Sequence, residues 1–241
     1  MHHLGLCESL PPASAAALAR ISRSRRVPAG TVISREGNAC REVHNIVSGL
    51  VRLSKLLPDG REQIVGLLQP TDFLGRPFAD ACPFTATAVR ETELCSFERA
   101  AFETLLQTDP ALEHAVLREV LTELDAAREW MVVLGTKTGR ERVASFLLLV
   151  IGRAERHGCR QLVAVGGPGG GDIDRAGPVY EIPLTRVDIG QYLGLSLESV
   201  SRQVSRLAAE GVIDLIDPRR FRVRDIDRLR SLSATSEAEA G

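Results

Sequence analysis

Two hydrophobic periods divide the chain. From Val27 to Phe97 short β-type runs alternate with turn residues: "PAGTVI", "HNIVSGLVRLSKLLPDGREQIVGLL", "PTDFLG", "FTATAV" and "TELCSF". Pro58-Asp59-Gly60 between two alternating runs predicts a hairpin, and Gly37, Gly49 and Gly75 fall at run ends where positive φ is expected. This stretch predicts an all-β roll or barrel. From about Pro110 to Leu134 the period becomes helical, with two apolar rows at four-three spacing. One row is Leu117, Leu121, Leu124 and Met131; beside it run Val116, Val120, Ala127, Trp130 and Leu134. One row can pack on the β region and leave the other for a partner helix, as in a dimer seam; both rows buried within one chain is the alternative. A further helix is expected from about Gly139 to His157.

The last segment carries the most specific pattern. Thr185 can cap a helix with Asp188 three residues on, Ser196 can cap a second, and only Gly194-Leu195 separates them. Helix, glycine turn and helix make a helix-turn-helix. "VIDLI", the turn Asp217-Pro218-Arg219-Arg220 and "FRV" then form a two-stranded hairpin, completing a winged helix. On the second helix, at about 100° per residue, Glu198, Ser201, Arg202 and Ser205 fall on one stripe, with Val200, Val204 and Leu207 opposite. A major groove admits a helix, and Arg reads guanine, Glu reads cytosine N4, and small hydroxyls suit thymine. Glu198, Ser201 and Arg202 are therefore the candidate base-reading residues, and Thr185, Arg186, Ser199, Arg206, Arg219, Arg220 and Arg222 the candidate phosphate contacts. For an isolated helix the alternative is a solvated face with an i,i+4 pair between Glu198 and Arg202.

Composition narrows the function. The 241 residues are 44% hydrophobic and carry a formal net charge of -1, so two domains with cores are affordable to the chain and a non-specific nucleic-acid coat is excluded. The longest apolar run, "VASFLLLVI" from Val143 to Ile151, is far short of a membrane span. No leader pattern opens the sequence, which places the chain in the cytoplasm by default. The five cysteines, Cys7, Cys40, Cys82, Cys95 and Cys159, are odd in number and lack a CxxC pair, so free thiols are expected rather than a disulfide framework or a zinc site. "GGPGGGDIDRAGP" lacks the ending of a P-loop and reads as a hairpin tip or linker. His2, His3, His44, His114 and His157 are dispersed, and no catalytic constellation has supporting context.

"LTRVDIGQYLGLSLESVSRQVSRL" resembles the helix-turn-helix of the CRP/FNR superfamily of bacterial transcription regulators, and Glu198, Ser201 and Arg202 stand in the E-x-x-S-R pattern of its FNR/FixK members. "PAGTVISREG", "PDGREQIVGLLQPTDFLGRP" and "LTELDAAREWMVVLGTKTGRERVASFL" resemble the roll and dimer helix of the FnrL/FixK branch. The resemblance implies an α+β chain: an N-terminal segment (1–26), a cyclic-nucleotide-binding-like β-roll or jelly roll (27–107), a long dimerisation helix (108–137) and a C-terminal winged helix-turn-helix (138–241). It implies a homodimer on double-stranded DNA at TTGAT-N4-ATCAA-like palindromes, Arg202 and Glu198 reading the G·C pair and Ser201 the neighbouring thymine, with RNA polymerase as partner in activating anaerobic or microaerobic genes. Cyclic nucleotide is not expected: Arg76 stands where the family places a carboxylate, and Phe84 precedes Thr85 where it places an arginine. The family's alternative is a [4Fe-4S] cluster on four cysteines. Cys95 matches the ligand in the roll and Cys7 the last of three N-terminal ones, but the chain begins at Met1 without the other two. Either the protein starts upstream or the cluster is lost. For Cys95 a small buried hydrophobe, and for Cys7 a bare terminal thiol, are the competing readings. A ligand-binding or protein-interaction module that reads no DNA is the alternative function.

Overall fold

The computed structural model describes Leu6, residues 10–156 and residues 178–234. Cys7, Cys159, His2, His3, His157 and nearly all of the glycine-rich stretch lie outside the described residues. The chain divides into two compact units, one ending at Arg128 and the other beginning at Glu129.

The first unit opens with helix α1 (Pro12–Arg20) and continues through β1 (Ser22–Val27), β2 (Val32–Ser34), β3 (Glu42–Ser48), β4 (Val51–Leu56), β5 (Glu62–Leu68), β6 (Phe73–Leu74), β7 (Thr85–Ala88) and β8 (Thr92–Glu98). The strands form two four-stranded sheets, ordered β1-β8-β3-β6 and β2-β7-β4-β5, with every pairing antiparallel. Alternation explains the inner faces: in β7 it is Ala86 and Ala88 that are buried, and they join Val27, Ile46, Val51, Leu53, Leu68, Leu74 and Leu94 in one core. The β4–β5 hairpin turns at the expected place, where Arg61 donates from its backbone and its Nε to the Asp59 carboxylate. Gly37, Gly49 and Gly75 all take positive φ, of 77°, 103° and 132°.

Helices α2 (Arg99–Thr108) and α3 (Pro110–Thr136) follow. Leu18 of α1, Phe102 and Leu106 of α2, and Leu112 and Ala115 of α3 cluster with Val43 and Phe97, so helices build a second core on the sheet containing β3 and β8. Val116 packs at the edge of that cluster. Beyond it Leu117, Val120, Leu121, Leu124, Ala127 and Met131 are exposed, while Trp130 and Leu134 are half-buried. The second apolar row is thus an anchor only at its two ends, and the alternative in which the chain buries both rows does not describe this helix.

The second unit contains α4 (Gly139–Arg156), β9 (Val179–Glu181), α5 (Arg186–Leu193), α6 (Leu197–Ala209), β10 (Ile213–Asp217), β11 (Arg220–Val223) and α7 (Ile226–Ser233). Val143, Phe146 and Leu147 of α4 meet a core that includes Ile189, Leu193, Val200, Val204, Leu207, Phe221 and Leu229, all buried. Trp130 stacks on Tyr192 with centroids 4.5 Å apart, and Phe146 meets the same ring edge-on. The wing has three strands, ordered β10-β11-β9, rather than the two expected, because Val179 to Glu181 pairs with β11.

The cysteines were expected as thiols, but Cys40 and Cys82 are joined in a disulfide, 42 residues apart in sequence and 5.1 Å apart at Cα. The physical reason is topological: an antiparallel bridge between Ala39 and Ala81 brings together two loops that sequence spacing leaves unrelated. Their Cα separation lies within the range a disulfide requires.

Candidate nucleic-acid interface

The α5–turn–α6 geometry follows from three local features. Thr185 caps α5 in a reciprocal box: its Oγ1 accepts from the Asp188 N–H at 3.1 Å, and its own N–H and hydroxyl donate to Asp188 Oδ2 at 3.1 and 2.6 Å. Such a cap contributes about 1 kcal/mol. Gly194 ends the helix in the left-handed region, φ 64° and ψ 40°, which a side chain disfavours. At Gly190 an added Cβ would lie 2.6 Å from the Leu195 carbonyl oxygen, so glycine is what lets the turn close onto the helix. Ser196 then caps α6, accepting from the Ser199 N–H at 3.2 Å.

Helix α6 buries Val200, Val204 and Leu207 and turns the opposite stripe outward. Glu198, Arg202 and Ser205 are exposed and Ser201 is half-buried. Hydrogen bonds from its own backbone N–H and from the Ser196 side chain, helped by the Arg202 charge, hold the Glu198 carboxyl below the usual carboxylate range. Glu198 therefore accepts only, as a partner for a cytosine amino group must. Arg202 donates from Nη2 to Ser199 Oγ at 3.2 Å. Its guanidinium is thus steadied from within the helix while lying on the exposed stripe.

The candidate phosphate contacts separate into kinds. Arg219 is exposed at the wing turn, where its N–H donates to Asp217 Oδ1 at 2.8 Å. Arg220 pairs with Asp217 at 2.5 Å. Arg206 pairs with Glu210 at 2.9 Å, and Glu210 also meets Arg140 and, at 3.8 Å, Arg228. This carboxylate ties α4, α6 and α7 together and is held low chiefly by the Arg206 hydrogen bond. Sequence reasoning missed it; the i,i+4 spacing of Arg206 and Glu210 was the available signal. Arg186 is half-buried, which lowers its guanidinium below its usual value, and Arg222 is half-buried on β11 with an enclosed Nε. The Thr185 hydroxyl is occupied by the capping box.

The roll offers neither family ligand a matching set. Arg76 is exposed. Thr85 Oγ1 accepts from the Glu36 N–H at 3.1 Å, Lys55 pairs with Glu36 at 3.0 Å, and Lys55 Nζ stands 5.8 Å from the Phe84 ring centre. The Thr85 hydroxyl is thus engaged by the Glu36 backbone, and Phe84 rather than an arginine precedes it. Cys95 lies on β8 between Asn45 and Ser24 of the neighbouring strands, and burial pushes its thiol up. It also packs against the helix-covered core. Among the described residues no three His, Cys, Asp or Glu side chains group as metal ligands. Among the described residues Cys95 alone does not fit a four-iron cluster.

A β-roll followed by a long helix and a winged helix-turn-helix with an outward polar stripe defines a two-domain DNA-binding regulator. The cyclic nucleotide-binding domain family matches residues 24–109, and the Crp-like helix-turn-helix domain family matches residues 141–232. The chain is 38% identical over 229 residues to the transcriptional activator protein FnrL of Cereibacter sphaeroides, covering 95% of this chain and 88% of that protein. It is 35% identical to the nitrogen fixation regulation protein FixK of Bradyrhizobium diazoefficiens, covering 88% and 82%. The solved structure of FixK2 from Bradyrhizobium japonicum matches with a TM-score of 0.74 at 30% identity, covering 90% of this chain and 99% of that one. The chain belongs to the CRP/FNR family of transcription regulators, in its FixK branch. These relatives are transcription factors and not enzymes. No described helix is long and apolar enough to cross a membrane.

Proposed function

We propose that this chain is a cytoplasmic activator that binds TTGAT-N4-ATCAA-like palindromes as a homodimer and recruits RNA polymerase to anaerobic or microaerobic genes. The observation that carries the reading is the outward stripe of α6, with Arg202 and an ionised Glu198 exposed one turn apart and Ser201 between them. Arg202 and Glu198 address the G·C pair, and Ser201 the adjacent thymine. Arg219, exposed at the wing turn, is the phosphate contact best placed to act without first breaking an ion pair; Arg206 and Arg220 must exchange a carboxylate for a phosphate. The name of the FnrL relative, a transcriptional activator, supports activation.

The exposed face of α3 supports the homodimer. Leu117, Leu121, Leu124 and Met131 form an apolar row that water meets in the single chain, as a coiled-coil seam would before pairing. Two linked half-site contacts then supply the affinity that a chain of net charge -1 does not gain from bulk attraction. Cyclic nucleotide is not part of this reading, because Arg76 and Phe84 stand where the family places the carboxylate and the arginine that would hold it. Arg202→Ala tests the reading: specific binding should weaken by roughly 1–3 kcal/mol and binding to random duplex much less. Equal loss on both would favour a module that reads no sequence.

A further inference from the structure

The segment from Gly75 to Cys82, between β6 and β7, is fastened to the roll at several points. The Phe78 N–H donates to Glu103 Oε1 at 2.7 Å, and Arg99 donates to the Ala79 carbonyl while pairing with Glu103 at 3.3 Å. Ala81 bridges Ala39, the Cys82 N–H donates to the Asn38 carbonyl at 2.8 Å, and the Gly37 N–H donates to the Cys82 carbonyl at 2.9 Å. The disulfide from Cys82 to Cys40 adds the covalent tie. These ties hold Phe78 at φ 60°, in the left-handed region that a bulky residue avoids, with its side chain 65% exposed.

Beside this tie lies a cleft of about 700 Å³ whose lining includes Cys40. Arg20, Arg23, Arg41 and Arg99 line it against two carboxylates, Glu42 and Glu98. An arginine-rich wall favours a thiolate over a thiol and draws in small anions. Both cysteines are buried, Cys40 at 4% and Cys82 at 8% exposure, and only Cys40 is among the lining residues, so the cleft abuts the pair on the Cys40 side.

We propose that Cys40 and Cys82 are a reversible thiol–disulfide site, oxidised by a small anionic disulfide admitted through the arginine-lined cleft, and that the bond fastens the Gly75–Cys82 segment. This rests on the proposed function in one respect: a regulator working beside DNA meets a reducing compartment, where disulfides are characteristically made and broken. The Cys40 thiolate attacks one sulfur of the anionic disulfide, forming a mixed disulfide and releasing one thiolate. The Cys82 thiolate then attacks the Cys40 sulfur, forming the intramolecular bond and releasing the second. The two protein thiols give up two protons and two electrons, and the incoming disulfide leaves as two thiols.

The test uses the full chain, reduced and then exposed to glutathione disulfide or, in parallel, to the cationic disulfide cystamine. Acid quenching, alkylation and peptide mass spectrometry read the product. The expected result is a joined Cys40–Cys82 peptide pair with Cys95 still alkylated, formed at low salt about tenfold faster with the anionic reagent. Cys82→Ser should trap a mixed disulfide on Cys40, and a dithiol reductant should restore both thiols. On reduction, the Gly37 and Cys82 amides should exchange with deuterium about tenfold faster. Separate alkylated thiols after oxidation, a bond that resists the dithiol, equal rates with both reagents, or unchanged amide exchange would each overturn the proposal. None of these readouts needs DNA, so their failure leaves the base-reading stripe untouched, and failure of palindrome binding leaves this chemistry untouched.

Discussion

The roll and the winged unit place their polar groups differently. All the buried polar residues among the described ones, Ser14, His44, Asn45, Ser54, Thr92 and Ser96, lie in the first unit. In the winged unit the fully buried residues are apolar or tyrosine, and the ionic groups lie at or near the surface, many of them paired as in Arg206–Glu210 and Arg224–Asp214 or on the α6 stripe, with Arg186 and Arg222 half-buried. The roll therefore depends on hydrogen bonds that water cannot replace, whereas the winged unit keeps a plain core and leaves its polar chemistry available to an outside partner. Acid should strike the first unit through its interior, and substitution should strike the second through its surface.

The largest effect is expected where neither description applies, on the exposed apolar row of α3. Leu121→Glu with Leu124→Glu should leave the monomer folded, since both residues are exposed, and should lower palindrome affinity by about a hundredfold or more through lost avidity. Sedimentation together with a binding titration checks this; a double variant that stays dimeric would remove α3 as the seam.

Acid sharpens the contrast next. Burial, aided by the Arg25 charge, lowers the His44 pKa to about 4, while its Nδ1 lies 2.8 Å from Ser96 Oγ. The folded roll thus resists a proton that the unfolded chain accepts below its ordinary value near 6.5. This stabilisation of the neutral histidine is full above that value and is lost as pH falls toward 4, by roughly 3 kcal/mol in all. Thermal unfolding of the first unit should become steeply acid-sensitive in that window, and His44→Gln should flatten the slope. An unchanged slope in the variant would assign the sensitivity elsewhere. A smaller effect is expected at the helix cap: Thr185→Ala should destabilise the winged unit by about 1 kcal/mol, read by chemical denaturation, with the acid slope of the roll unaffected.

The same contrast governs what could be read in the sequence. The helix-turn-helix was legible because caps, turn glycine and stripe are all local, so Thr185, Gly194, Ser196 and the α6 periodicity predict the geometry that forms. The roll was legible as a kind of fold, through alternation and turns, but not in its edges: β1 has four consecutive exposed residues and carries no alternation. Strand β9, at three residues, is too short to show a period, and α1, α2 and α7 were not anticipated. The Cys40–Cys82 bond joins loops related only by sheet closure. The Glu210 contacts with Arg140 and Arg228 likewise link separate helices, and no spacing within one segment encodes them. In the α3 rows, periodicity identified the apolar residues but could not say that Val120 and Ala127 stay exposed while Trp130 finds Tyr192.

The most direct test of base reading by α6 is a binding cycle that pairs wild type and Arg202→Ala with the TTGAT palindrome and with the same duplex carrying A·T in place of its G·C pair in each half-site. The wild-type protein should lose affinity when the base pair is changed, and the variant should bind both duplexes nearly alike, so that the two changes together cost far less than their sum. Full additivity, with the variant still preferring the G·C pair, would contradict a contact between Arg202 and guanine.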